Sequence, residues 1–167
     1  MEKKLEDSGL VISKEVKQYD VIYIPANKPN IFSETKEGNI VLRIRRENDS
    51  TTLNLKKQKS YEMDNIEYET KINDPEAMQQ ILLLLGWKPE VEVKKTRKKG
   101  KLGEYEVCLD RVEGLGDFIE LEKITDDHAD PEEVRDELFK ALKIYGLSRK
   151  DEETKGYDTQ MYQIRNN

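Results

Sequence analysis

Three like-charged pairs stand at i and i+2: Arg43 and Arg45 in VLRIRRE, Glu67 and Glu69 in IEYETKI, and Glu120 and Glu122 in FIELEKI. Guanidinium forks grip phosphate oxygens two at a time. Paired carboxylates are hard oxygen ligands, the type that Mg²⁺ or Mn²⁺ accepts when it bridges to phosphate. Both groups in one chain describe a triphosphate site. The matching chemistry is phosphoryl or nucleotidyl transfer, in which positioning and charge neutralisation do most of the work.

Such pairs need strands to aim them. Successive side chains of a strand point to opposite faces, so each pair occupies one face while Leu42, Ile44, Ile66, Tyr68, Ile119 and Leu121 take the other. One pair alone is ordinarily a solvated sheet face. Here there are several, with arginines and glutamates on different strands. Antiparallel strands around a common axis, with helices on their apolar outer faces, would line an interior with Arg43, Arg45, Lys56, Lys95, Arg97, Glu67, Glu69, Glu106, Asp110, Glu120 and Glu122. That lining must be wet or liganded, because unpaired buried charge costs several kcal/mol per ion.

Composition fits a sheet with one polar face. Charged residues make up 38% of the 167-residue chain against 35% hydrophobic, and the length suits one domain over residues 1–167. A net charge of −6 gives no reason to expect nucleic-acid or membrane partners. The lone Cys108 excludes an intramolecular disulfide, and a cytoplasmic location follows by default. With His128 as the one histidine, in a polar DDHADPEE run, a multi-histidine metal site and a Ser-His-Asp triad are both disfavoured. His128 reads as a loop residue near a helix start. Gly114-Leu115-Gly116 reads as a hairpin turn, no P-loop motif is present, and Lys94 to Lys101 reads as strand plus turn.

Turn chemistry divides the chain. Met1 to Ser8 reads as the end of a helix, and Val11 to Ile24 as a strand ending at Pro25. Asn39 to Glu47 and Thr51 to Gln58 form a hairpin about Asn48-Asp49-Ser50. Tyr61 to Ile72 is a strand, and Asn73-Asp74-Pro75-Glu76 then opens a helix bearing Met78, Ile81, Leu82 and Leu85 and ending at Gly86. Glu90 to Lys98 and Leu102 to Val112 pair about Lys99-Gly100-Lys101, followed by a strand from Phe118 to Ile124. Asp130-Pro131-Glu132-Glu133 opens a second helix, with Gly146 as its stop. The tail from Lys155 to Arg165 reads as a last short strand. Hairpin, acidic strand and Asx-Pro helix thus occur twice, as two similar halves of one barrel would require.

The order VLRIRRE, TLNLKKQ, IEYETKI, VKKTRKKG, VCLDRVEGLGDFIELEKI and KGYDTQMY resembles the CYTH superfamily, the triphosphate tunnel metalloenzymes, over about Val11 to Tyr162. VCLDRVEGLGDFIELE points to the branch that resembles class IV adenylyl cyclases. The resemblance implies an α+β fold, an antiparallel tunnel of about eight strands with helices outside. It implies a nucleoside triphosphate or other triphosphate as ligand, Mg²⁺ or Mn²⁺ as cofactor, and release of cyclic AMP with pyrophosphate or of inorganic phosphate. Arg43 and Arg45 match the LRxR phosphate binders, Lys56 the TxK lysine, and Lys95 and Arg97 the KxR pair. Asp110, Glu120 and Glu122 match acidic metal positions, and Glu67 and Glu69 match an acidic strand assigned here to metal. Lys155 is a looser match, and Arg97, Lys56 and Lys155 take the catalytic roles.

The family's first-strand ExExK motif has no counterpart. Glu2-Lys3-Lys4 and Glu6-Asp7 fall in the expected helix, so either the coding start lies upstream or the chain lacks one strand and its metal ligands. The second case leaves a sheet edge to be covered, which makes a homodimer reasonable. Three readings follow: a metal-dependent enzyme acting on a triphosphate, a non-catalytic polyanion-binding module, or a sheet whose charged faces are merely solvated.

Overall fold

The computed structural model describes Leu5, Asp7 and residues 11–34, 36–126 and 128–166. Seven strands form one sheet: β1 (Val16–Pro25), β2 (Ile40–Glu47), β3 (Ser50–Gln58), β4 (Asn65–Lys71), β5 (Trp87–Leu102), β6 (Tyr105–Val112) and β7 (Gly116–Glu122). Their order is β4-β3-β2-β1-β5-β6-β7. The α-helices with defined bounds among the described residues are α1 (Pro75–Leu84), α2 (Pro131–Leu142) and α3 (Tyr157–Asn166). None among the described residues is long and apolar enough to cross a membrane. The chain divides into two compact units, a larger one of Lys17–Lys95, Val112–Leu115 and Thr154–Asn167, and a second of Met1–Val16, Thr96–Arg111 and Gly116–Glu153.

In the larger unit the register sorts side chains by parity. Tyr23 lies opposite Leu42, Val21 opposite Ile44, Ile44 opposite Leu53 and Leu42 opposite Leu55, so these residues share one face. Tyr23, Leu42, Ile44 and Leu82 form a buried cluster on that face, joined by Met78, Ile72 and Trp87. Each fully buried aliphatic side chain there contributes about 1.5–3 kcal/mol. Asp74 starts α1 by accepting the Ala77 N–H at 2.9 Å, Pro75 takes the first turn, and the helix gives way to Gly86 at φ 81°. The N-cap and stop fall where the sequence puts them.

The second unit repeats the chemistry. Leu5, Val107 and Tyr145 form its core, with Leu102, Leu109, Ile119, Leu121 and Leu142 packed around them. Asp130 accepts the Glu132 and Glu133 N–H groups at the start of α2, and a short 3₁₀ turn over Lys143–Tyr145 ends on Gly146 at φ 84°. His128 is exposed in the turn before that helix, as expected.

The sheet bears out the expected α+β fold class, its seven strands among the described residues matching about eight with the first missing, and two details are corrected. The tail is the helix α3, because Tyr157, Met161 and Ile164 recur at helical spacing and not by alternation. The second hairpin turns at Gly103, φ 63°, while Lys99-Gly100-Lys101 continues β5. Lys99 is held there by Ser13, whose N–H donates to the Lys99 carbonyl at 2.7 Å and whose Oγ accepts the Lys99 N–H at 2.9 Å. The expected N-terminal helix lies mostly outside the described residues, although Leu5 and Asp7 are helical.

Candidate functional site

On the polar face of the larger unit, the register aligns Asp20 with Arg45 and Thr52, and Arg43 with Asn54 and Glu69. It also aligns Lys56 with Glu67. Arg45 donates from Nε to one Asp20 oxygen at 2.7 Å and from Nη2 to the other at 2.6 Å. Arg43 Nη1 approaches Asp20 to 4.0 Å. Burial pushes the Asp20 carboxyl up, but the Arg45 hydrogen bond and the charges of Arg43 and Arg45 outweigh it and hold the group below its ordinary value. Lys56 meets Glu67 at 2.8 Å, and Asn54 Nδ2 donates to the same carboxylate at 3.2 Å. Burial raises the Glu67 pKa, and the Lys56 charge reverses the shift to a net lowering.

Cations outnumber carboxylates on this face: Arg43, Arg45, Lys56, Lys71 and Lys95 against Asp20, Glu47, Glu67 and Glu69. Arg43 Nε and the amide oxygens of Gln18 and Asn54 are buried without a hydrogen-bond partner among the described residues. Buried polar atoms without partners are exceptional in folded proteins, so these mark a place for a bound group or water. Lys95 is 5% exposed, and its Nζ sits 4.8 Å from the centre of the Tyr157 ring at the start of α3. Glu62 anchors that end by accepting the Gly156 N–H at 2.7 Å.

The second unit reverses the balance, with Glu106, Asp110, Glu120 and Glu122 against Arg97 and Lys99. Arg97 donates to both Asp110 oxygens, from Nε at 2.7 Å, and Nη2 also reaches Glu120. Burial depresses the Arg97 pKa, and the carboxylates more than restore it, so the guanidinium stays charged. Lys99 Nζ meets Glu106 at 2.8 Å. Ligand atoms of Cys108, Glu120 and Glu122 lie within 4.8 Å of one another. Burial pushes the Cys108 thiol up to about 12, so at neutral pH it is a protonated neighbour of the two carboxylates. The two carboxylates are hard oxygen donors of the kind that Mg²⁺ or Mn²⁺ accepts.

The structure therefore groups Arg43, Arg45, Lys56, Lys95, Glu67 and Glu69 on a face of one unit. It brings Arg97, Asp110, Glu120 and Glu122 together in the other. Lys155 is exposed and donates to Gln163 Oε1 at 2.9 Å. Sequence reasoning missed Asp20, Gln18, Asn54 and Tyr157. Gln18 and Asp20 are themselves a polar i, i+2 pair inside an apolar strand, which is the signal that could have found them.

The CYTH domain model matches residues 2–157, spanning both units. The chain belongs to the CYTH domain family. A Methanocaldococcus jannaschii protein named "putative adenylate cyclase" is 33% identical over 156 residues, covering 92% of this chain and 86% of that protein. The adenylate cyclase CyaB of Aeromonas hydrophila is 34% identical over 88 residues, 53% of this chain and 46% of its own length. Among solved structures, the PH1012 protein of Pyrococcus horikoshii superposes with a TM-score of 0.78 at 28% identity, covering 96% of this chain and 90% of its own. The PH1819 protein of the same organism gives 0.78 at 27% identity, with 99% and 92% covered.

Proposed function

We propose that this CYTH protein is a divalent-metal-dependent enzyme acting on ATP or another triphosphate, either cyclising it to cyclic AMP and pyrophosphate or hydrolysing it. Residues 1–167 act as one domain in this reading. The observation that carries it is the sorting of charge: a cation-rich face holding a buried Arg43 Nε with no partner, and a separate carboxylate cluster. The adenylate cyclase names of two relatives support it.

Arg43, Arg45, Lys56 and Lys95 present the positive face that attracts phosphate and stabilises charge developing on the leaving group. Glu120 and Glu122 would hold Mg²⁺ or Mn²⁺, with Glu67, Glu69 and Asp110 as further candidate ligands. Such an ion, when bound, supplies charge neutralisation at the reacting phosphoryl group. Arg97, fixed by Asp110 and Glu120, keeps those carboxylates in place and offers its remaining edge to phosphate. In cyclisation the site orients the ribose 3′-hydroxyl against the α-phosphorus; in hydrolysis it orients water against the terminal phosphorus. Lys155, just before α3, is a further candidate for contact with phosphate.

Incubation with ATP and Mn²⁺ followed by separation of the products tests this. Cyclic AMP identifies a cyclase, and orthophosphate alone a triphosphatase. A raised melting temperature without turnover leaves a binding module. If neither ATP nor tripolyphosphate shifts melting, the proposal fails.

A further inference from the structure

A carboxylate buried in a phosphate-binding face is a puzzle, since its charge alone repels the ligand. Asp20 is 3% exposed and stands among Arg45, Arg43 and Lys95. The strand register explains which of these it can hold. Asp20 lies directly opposite Arg45, within reach of a two-point bond, while Arg43 has Ile22 opposite it on β1 and Asn54 on β3, neither of them an anion. Arg43 meets Asp20 only on the diagonal, at 4.0 Å, with its Nε buried and unpaired. Two arginines that look equivalent in LRIR are thus unequal.

We propose that Asp20 is a positioning residue: it clamps Arg45 as a fixed wall of the site and leaves Arg43 as the arginine whose fork closes on phosphate. This rests on the reading that the face binds phosphate. The clamp trades some electrostatic attraction for geometry, because a guanidinium held at two points loses less freedom when a ligand arrives.

Charge and positioning predict opposite signs, and titration calorimetry with tripolyphosphate separates them. By charge alone Asp20→Asn tightens binding. If Asp20 acts as a clamp, Asp20→Asn weakens binding about tenfold or more, and the same change made on Arg45→Ala weakens it no further. Tighter binding by Asp20→Asn, or an equal loss in both backgrounds, overturns the clamp. Should Asp20→Asn not fold, the arginine Nε–H resonances of the unaltered protein decide. On titration with tripolyphosphate the Arg43 signal moves and the Arg45 signal stays; movement of Arg45, or of both, overturns the clamp. Wild-type protein that binds neither tripolyphosphate nor ATP refutes the proposed function itself, and the clamp with it.

Discussion

Replacing Arg97 by Met removes a two-point partner of a deeply buried carboxylate in the second unit, Asp110. Asp110 has a side chain 0% exposed, and Arg97 is 6% exposed at the side chain, so solvent screens this pair little. Met matches the aliphatic length of Arg97 but takes away the guanidinium that holds both Asp110 oxygens, a loss of about 3–5 kcal/mol. At roughly 2–4 °C per kcal/mol for a protein of this size, the melting temperature falls by roughly 6–20 °C. The deficit depends on pH in a definite direction. An unpaired buried carboxyl has its folded pKa raised above the unfolded value of about 3.9. The folded variant then binds its proton more tightly than the unfolded chain does, and stability is lost as pH rises through the raised value. Urea unfolding at pH 5 and pH 8 reads this, with the larger deficit at pH 8. Adding Asp110→Leu to Arg97→Met should recover most of the loss, since the more buried charge goes with its partner and Glu120, 21% exposed at the side chain, keeps contact with solvent. A variant within about 1 kcal/mol of wild type at pH 8, or a deficit that grows on acidification, would refute the buried-pair reasoning.

Other outcomes follow from the same geometry. Arg43→Ala with Arg45→Ala should abolish most tripolyphosphate binding by calorimetry; unchanged binding would mean that the face is only solvated surface. Leu82→Ala, at the centre of the apolar cluster under β1–β3, should cost about 2–5 kcal/mol in urea unfolding, and a loss below 1 would mean that the site collapses without a cavity. Cys108, 0% exposed with its thiol pushed up to about 12, should resist a disulfide reagent at pH 8 until denaturant is added. The Asp20 carboxyl is held below its ordinary value, so its stabilisation is present above the unfolded pKa and lost as pH falls through the folded one. Wild-type and Asp20→Asn stability curves should therefore converge as the pH drops below about 4.

The paired charges were legible because strand parity is a local rule, and the helix starts because Asp74 and Asp130 cap within three residues of themselves. The partners of the arginines were not. Asp20 finds Arg45 through a register set between strands 25 residues apart, and nothing within VLRIRRE distinguishes Arg45 from Arg43. Arg97 shows the same limit: its type suits phosphate, but two carboxylates from β6 and β7 engage it first. The tail was misread because its residues are polar and short in span, and its N-terminal anchor, Glu62, comes from the loop before β4.

The order of the sheet also bears on synthesis. β1 to β4 are consecutive antiparallel neighbours, and every residue of the Tyr23–Leu42–Ile44–Leu82 cluster and its surround lies between Val21 and Trp87. This core can close on the nascent chain before β6 and β7 exist. The far edge of β1 must then wait for β5, which arrives only after α1. During that interval VKQYDVIYIP is an exposed strand with an apolar end, and Lys17 and Asp20 are the charges inside it that discourage pairing with another chain.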